Sequence, residues 1–134
     1  MSGELSLQKL LATLSVELIP GTYVFATLPA ADVPSGLSPC MVFTETEGTT
    51  LILLKSEAEA HNIAYEFPCR MITLNVHSSL DAVGFIADIA TELAHRNMGA
   101  NPVSGFYHDH LFVPLGREDD ALNILAGIAQ TAAG

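Results

Sequence analysis

The sequence predicts an α+β protein, and three observations carry that reading. Hydrophobic residues make up 49% of the 134 positions, and the mean hydropathy is +0.38. That is ample for a packed core and excludes a disordered chain. Short β-branched and aromatic runs alternate with stretches of helical period. The order of these elements is also repeated. The second half reads strand, helix, strand, strand, helix, and the first half reads strand, loop, strand, strand, short helix, strand. The halves match if the loop at 29–39 stands in for a helix. The order is βαββαβ, the split βαβ plan of ferredoxin-like folds. It is used twice here, with the first copy eroded, and implies antiparallel sheets with helices on one face. The expected units are 1–68, which has an extra N-terminal helix, and 69–134, interlocked as one compact structure. The second copy lacks a fourth strand of its own, and residues 22–28 are the candidate to fill that slot.

Each element has a local reason. Ser6 caps a first helix whose stripe is Leu7, Leu10, Leu11 and Leu14. Leu5 and Leu10 form a possible hydrophobic staple. Pro20 and Gly21 break the chain before the strand TYVFATL. The stretch PAADVPSGLSP, with three prolines and a glycine, is a loop. CMVFTET and TTLILL flank Glu47 and Gly48 and read as a hairpin. SEAE, Ser56 to Glu59, reads as a capping box that opens a short helix fading near Asn62. IAYEF and RMITLNV are two strands, or one strand interrupted at Pro68. Ser78 or Ser79 caps a helix over about 80–97, with Val83, Ile86, Ile89, Ala90 and Leu93 inward and Gly99 as its stop. PVSGFYHDHLFVP is a second hairpin. REDDALNILAGIAQ closes as a helix with Ala121, Leu122, Leu125 and Ile128 inward, and its acids suit a helix N-terminus.

Net charge excludes some partners. Fifteen acids face five basic residues, giving −10. The five are Lys9, Lys55, Arg70, Arg96 and Arg117, scattered along the chain. Neither nucleic acid nor an anionic membrane surface suits that distribution. No apolar run reaches the length of a membrane helix, and the first residues lack the pattern of a signal peptide. Cys40 and Cys69 stand apart and outside any CxxC spacing. They read as two reduced thiols of a cytoplasmic protein.

The stretch TLNVHSSLDAVGFIADIATELAHRNMGANPVSGFYHDHLFVP resembles an ACT domain. The pattern is similar to the tandem ACT units of aspartokinases and of cytosolic arginine sensors. In those a strand leads to a small residue or glycine at a helix start, and a hairpin with an acidic turn follows. Here the helix start is SSLDAVG and the hairpin VSGFYHDHLFV. ELIPGTYVFATLP and YHDHLFVP also look like short bacterial stand-alone ACT proteins. The resemblance is strong over Met71 to Val113 and extends over the chain. Two departures stand out: the proline-rich loop replaces the usual first-half ligand loop, and Gly105 sits where related hairpins more often carry threonine. The resemblance implies a regulatory small-molecule site at contacts between units, and hence a homodimer.

The chemistry of these residues agrees with a ligand site. A helix N-terminus offers free N–H groups and partial positive charge to a carboxylate. Ser78, Ser79, Leu80, Asp81, Ala82, Val83 and Gly84 form such a terminus directly after a strand, and Gly84 allows close approach. The resemblance implies that Ser104, Gly105, Phe106, Tyr107, His108 and Asp109 form a hairpin facing that helix start. There a hydroxyl, strand-end carbonyls and the carboxylate of Asp81 or Asp109 suit an ammonium group. Plainer readings exist: Ser78 or Ser79 as a simple cap, Asp81 as a first-turn acid, Ser104 as an ordinary strand hydroxyl. His108 and His110, with Asp109, could begin a metal site, which would need His61 or His77 to complete it. His95, late in a helix, reads as structural. No nucleophile motif is present. The expectation is a non-catalytic, cofactor-free cytoplasmic protein that binds an amino acid and acts on an unknown protein partner. The alternatives are a ligand-free dimerisation module and a metal-dependent enzyme using His108, Asp109 and His110.

Overall fold

A computed structural model describes residues 6–76 and 78–134. Its residues fall into two compact units: Pro20–Cys69, and a second unit formed by Met1–Ile19 with Arg70–Gly134. The first is continuous in sequence and the second is split around it. The grouping therefore differs from a division near residue 69, because the N-terminal helix packs with the C-terminal half.

The continuous unit contains β2 (Tyr23–Leu28), β3 (Met41–Thr44), β4 (Thr49–Leu54), α2 (Lys55–Ala60) and the start of β5 (Glu66–Leu74). Its strands lie in the order β3-β4-β2-β5, with antiparallel registers such as Met41↔Ile52 and Phe25↔Ile52. Alternation along β2 and β4 sends Val24, Ala26, Leu51 and Leu53 to one face, where they bury with Ala58 and Ile63. The proline-rich loop holds one short 3-10 turn, Ala30–Asp32. The proposed capping box does not form. The helix begins at Lys55, with Leu54 at its cap, and Glu59, the acid of that box, instead accepts from the Tyr65 hydroxyl at 3.1 Å. Pro68 does not divide β5. Tyr23 pairs with Cys69 and Phe25 with Glu66, so β5 carries an extra residue there. Phe67 absorbs the bulge at φ +57° and meets the Phe25 ring edge-on at 5.7 Å.

The split unit contains α1 (Leu7–Ala12), β1 (Val16–Leu18), the rest of β5, α3 (Phe85–His95), β6 (Pro102–Ser104), β7 (Asp109–Pro114) and α4 (Glu118–Ala133). Ser6 caps α1, accepting from the Lys9 N–H. Leu5, the other half of the proposed staple, lies outside the described residues. The vacant fourth strand is filled by β1 and not by residues 22–28: Val16 pairs with Leu74 and Leu18 with Ile72. Next to it β5, β7 and β6 follow in order. The core joins Ile72 and Leu74 of β5, Leu111 and Val113 of β7, Phe85, Ile89 and Leu93 of α3, Leu10 of α1, and Ala121 and Leu125 of α4. These spacings are the period-2 and period-3.6 patterns of strand and helix. Arg70 ties β5 to the first turn of α4 through Glu118 at 3.2 Å.

Helix α3 is shorter than its apolar pattern. It starts at Phe85 behind Gly84 at φ +91°, so neither Ser78 nor Ser79 caps it. It stops before Gly99, because Asn97 takes the left-handed turn at φ +57°, a conformation that asparagine tolerates better than most residues.

Candidate functional site

Two segments of the split unit make the site. The first leaves β5 and reaches α3. Within it the Ser79 hydroxyl accepts from the Asp81 N–H at 3.1 Å, and the Ala82 N–H donates to the Ser79 carbonyl at 2.9 Å. This compact turn aims Gly84 into the helix. The first helical bond runs from the Asp88 N–H to the Gly84 carbonyl at 2.9 Å. The N–H groups of Phe85, Ile86 and Ala87 precede it and have no acceptor within the helix.

The second segment is the β6–β7 hairpin. Ser104 pairs with Asp109, and the Gly105 N–H donates to the His108 carbonyl at 2.9 Å, closing the turn over Phe106 and Tyr107. A Cβ at position 105 would lie 3.0 Å from that carbonyl, which accounts for glycine in place of the threonine of related hairpins. The two segments are joined by the Ser78 hydroxyl, which donates to Oδ2 of Asp109 at 3.3 Å.

Between them lies a cavity of about 300 Å³. Of the expected residues, Ser78, Ser79, Leu80, Ala82, Gly84, Ser104 and Asp109 line it, while Asp81, Val83, Gly105, Phe106, Tyr107 and His108 do not. Phe85, Ile86 and Ala87 also line it, and sequence reading missed them. A glycine followed by an apolar run was their signal, masked by the serines upstream. Asp109 is 7% exposed. It is the acidic group of the lining, and no lysine, arginine or histidine accompanies it. Leu80, Val83, Phe106 and Tyr107 stand exposed on the two segments, the last two stacked edge-on at 5.0 Å.

The histidines serve another face. Asp109 shares the alternation of Leu111 and Val113 toward the helices, whereas His110 lies on the opposite face and its Nδ1 is 2.9 Å from the Thr73 hydroxyl. Burial lowers the His110 pKa, the nearby His108 lowers it further, and Asp109 works in the other direction. Among the described residues no group of three metal-ligating side chains comes together, so the His108, Asp109 and His110 cluster does not assemble a metal centre there. His77 lies outside the described residues. The cysteines are free. Cys40 is exposed and Cys69 buried, and burial pushes the Cys69 thiol up to about 12.

A wider depression of about 700 Å³ lies among α1, α3 and α4, lined by residues such as Asp88, Glu92, Asn123 and Gly127. It is larger, but every polar side chain lining it is exposed to solvent. The smaller cavity has a buried carboxylate and a helix start converging on it, and we take it as the site. Among the described residues, no helix is long and apolar enough to cross a membrane.

A βαββαβ unit with a cavity where its first strand meets its first helix has the architecture of a regulatory, ligand-binding domain. The chain belongs to the ACT-domain family: residues 2–70 match one ACT-domain model and residues 66–127 match another. It is similar to a protein of unknown function from Vibrio cholerae described as a possible transport protein. The two share 40% identity over 92% of this chain and 96% of that one, with a TM-score of 0.83. A protein from Agrobacterium tumefaciens, 17% identical, covers 87% of this chain and 89% of its own with a TM-score of 0.73. The ligand-free regulatory subunit of aspartate kinase from Thermus thermophilus is 11% identical, covers 87% and 97%, and has a TM-score of 0.64. These last two likenesses are of fold alone. No curated protein matches the chain.

Proposed function

We propose that the chain is a non-catalytic, cytoplasmic sensor that binds an amino acid in the cavity between residues 78–87 and 104–109. The observation that carries this reading is the convergence of opposite poles on one small cavity: the open N–H groups at the start of α3 and the buried carboxylate of Asp109. A ligand carboxylate suits the first and a ligand ammonium the second. The volume of about 300 Å³ is at the small end of the range for ligand pockets. It fits a single amino acid better than a nucleotide. Bound ligand would stabilise one arrangement of turn and hairpin, and so change the surface offered to a protein partner.

The test is a thermal-shift screen of the purified protein against the common amino acids, nucleotides and divalent metals. A specific ligand at 100 times its dissociation constant stabilises the fold by about 2.7 kcal/mol. If no amino acid moves the melting temperature, the reading fails.

A homodimer is part of the proposal. Strand β3 ends the order β3-β4-β2-β5 and exposes Val42 and Phe43, at 56% and 62%, with no charge between Met41 and Thr44. Edge strands of this kind call for cover, and a second copy would supply it.

A further inference from the structure

We infer that the turn before α3 and the tip of the β6–β7 hairpin form one docking patch for a protein segment that presents apolar side chains flanked by lysine or arginine. This rests on the reading above for the existence of a protein partner, and not for the amino acid. Leu80 and Val83 stand exposed on the turn, at 67% and 83%, and Phe106 and Tyr107 on the hairpin, at 64% each. Val83, Phe106 and Tyr107 lie outside the cavity lining, so a small molecule held in the cavity leaves them in solvent. The fold brings the four to one end of the split unit. Strands β5 and β7 are neighbours in the sheet, and the turn follows the first while the hairpin tip precedes the second. The hydrogen bond from Ser78 to Asp109 fastens the two segments together, and Leu80 and Ser104 border the same cavity.

Apart from Val42, Phe43, Leu54 and Leu115, these are the large apolar side chains that stand exposed among the described residues. Single exposed apolar residues need no explanation, whereas a gathered set with a polar rim marks a protein contact. Phe106 and Tyr107 meet edge-on at 5.0 Å. Aromatic side chains offer large contact area with few rotamers to lose, and binding energy concentrates on such anchors. Charge names the occupant. The two segments carry Asp81 and Asp109 and no lysine or arginine, and Asp88 follows within the first turn of α3. A partner that frames its apolar side chains with cations matches this rim, and the net charge of −10 draws it in. A second copy matches it poorly. Its cations are Lys9, Lys55, Arg70, Arg96 and Arg117, no two of which share an element, and Arg70 and Arg117 are already paired with Glu118 and Asp120.

The test is selection from a random peptide library displayed on phage, with the full chain immobilised and no amino acid added. The expected result is enrichment of peptides that join leucine, isoleucine or phenylalanine to flanking lysine or arginine. The most enriched sequence is then synthesised and its affinity followed by fluorescence anisotropy. Phe106→Ser and Val83→Ser should each weaken it by about tenfold, and salt raised to about 0.5 M should weaken it in the parent protein. Both positions are exposed, so the melting temperature should hold. Leu115→Ser, at the other end of β7, is the control and should bind as the parent does. Absence of enrichment, enriched peptides without cations, or equal binding by the patch variants overturns the inference. Conversion of a parent dimer to monomer by Phe106→Ser would assign the patch to a second copy and overturn it as well. The amino-acid reading stands or falls separately, on the thermal-shift screen above.

Discussion

The hydroxyl of Ser78 donates to the buried carboxylate of Asp109 across 3.3 Å, and so ties the turn before α3 to the hairpin that faces it. A buried acceptor stripped of its donor costs about 1–3 kcal/mol. Ser78→Ala should therefore lower the unfolding free energy by an amount in that range. The urea midpoint should fall with an unchanged slope. An unshifted midpoint would show that solvent replaces the hydroxyl without loss.

Glycines divide by conformation, and that gives opposite signs for one substitution. Gly84 has φ +91°, and its Cβ would meet Leu7 at 3.4 Å. Gly84→Ala should cost about 1–2 kcal/mol. Gly127 lies within α4 with nothing near its missing Cβ, so Gly127→Ala should stabilise by about 0.5–1 kcal/mol. Thermal melts of the two variants should move in opposite directions, and parallel shifts would refute the assignment.

His110 makes stability depend on pH. Its folded pKa is lowered from 6.5, first by burial and then by His108. In the window between the lowered value and 6.5 the unfolded chain binds the proton more readily. Stability therefore rises with pH there, is complete above 6.5, and is lost as pH falls below it. Urea midpoints followed from about pH 8 down to about pH 5 should decline, and His110→Asn should flatten part of that decline. An equal slope in the variant would assign the effect elsewhere.

Phe43 exposes 62% of its surface on the edge strand β3. If a second copy covers that edge, Phe43→Lys should shift the sedimentation coefficient from dimer to monomer. The fold itself should survive, with the far-ultraviolet circular dichroism unchanged. A monomeric parent protein, or a dimeric variant, would remove β3 as the interface.

Much of this architecture is legible in the sequence because period reports burial directly. Val24 and Ala26 are the buried alternate positions along β2, and Phe85, Ile89 and Leu93 recur at helical spacing. Boundaries are less legible where several residues could perform one task. Ser78 and Ser79 look like caps, yet Ser79 spends its hydroxyl on the Asp81 N–H and leaves Gly84 to open the helix. The triplet VEL is short and polar at its centre, so nothing local marks it as a strand. Only its pairing with Ile72, Thr73 and Leu74 makes it one. The site divides in the same way. Its serines, Gly84 and Asp109 are visible as residue types that suit a ligand. The separation of Asp109 from His110 onto opposite faces depends on where the turn closes, and that is set by the Gly105 to His108 bond.

Because β1 precedes in sequence the strand it pairs with by a whole intervening unit, the two units reach completion at different times on the ribosome. Residues 20–69 emerge as one uninterrupted piece and hold all they need for their own core. Val16 to Leu18 emerge earlier but have no partner until Ile72 to Leu74 follow. The Leu10 side chain likewise waits for α3 and α4. During synthesis the first helix and strand are thus an idle apolar segment. The cavity between residues 78–87 and 104–109 belongs to the unit completed later, whose core closes only once α4 has followed.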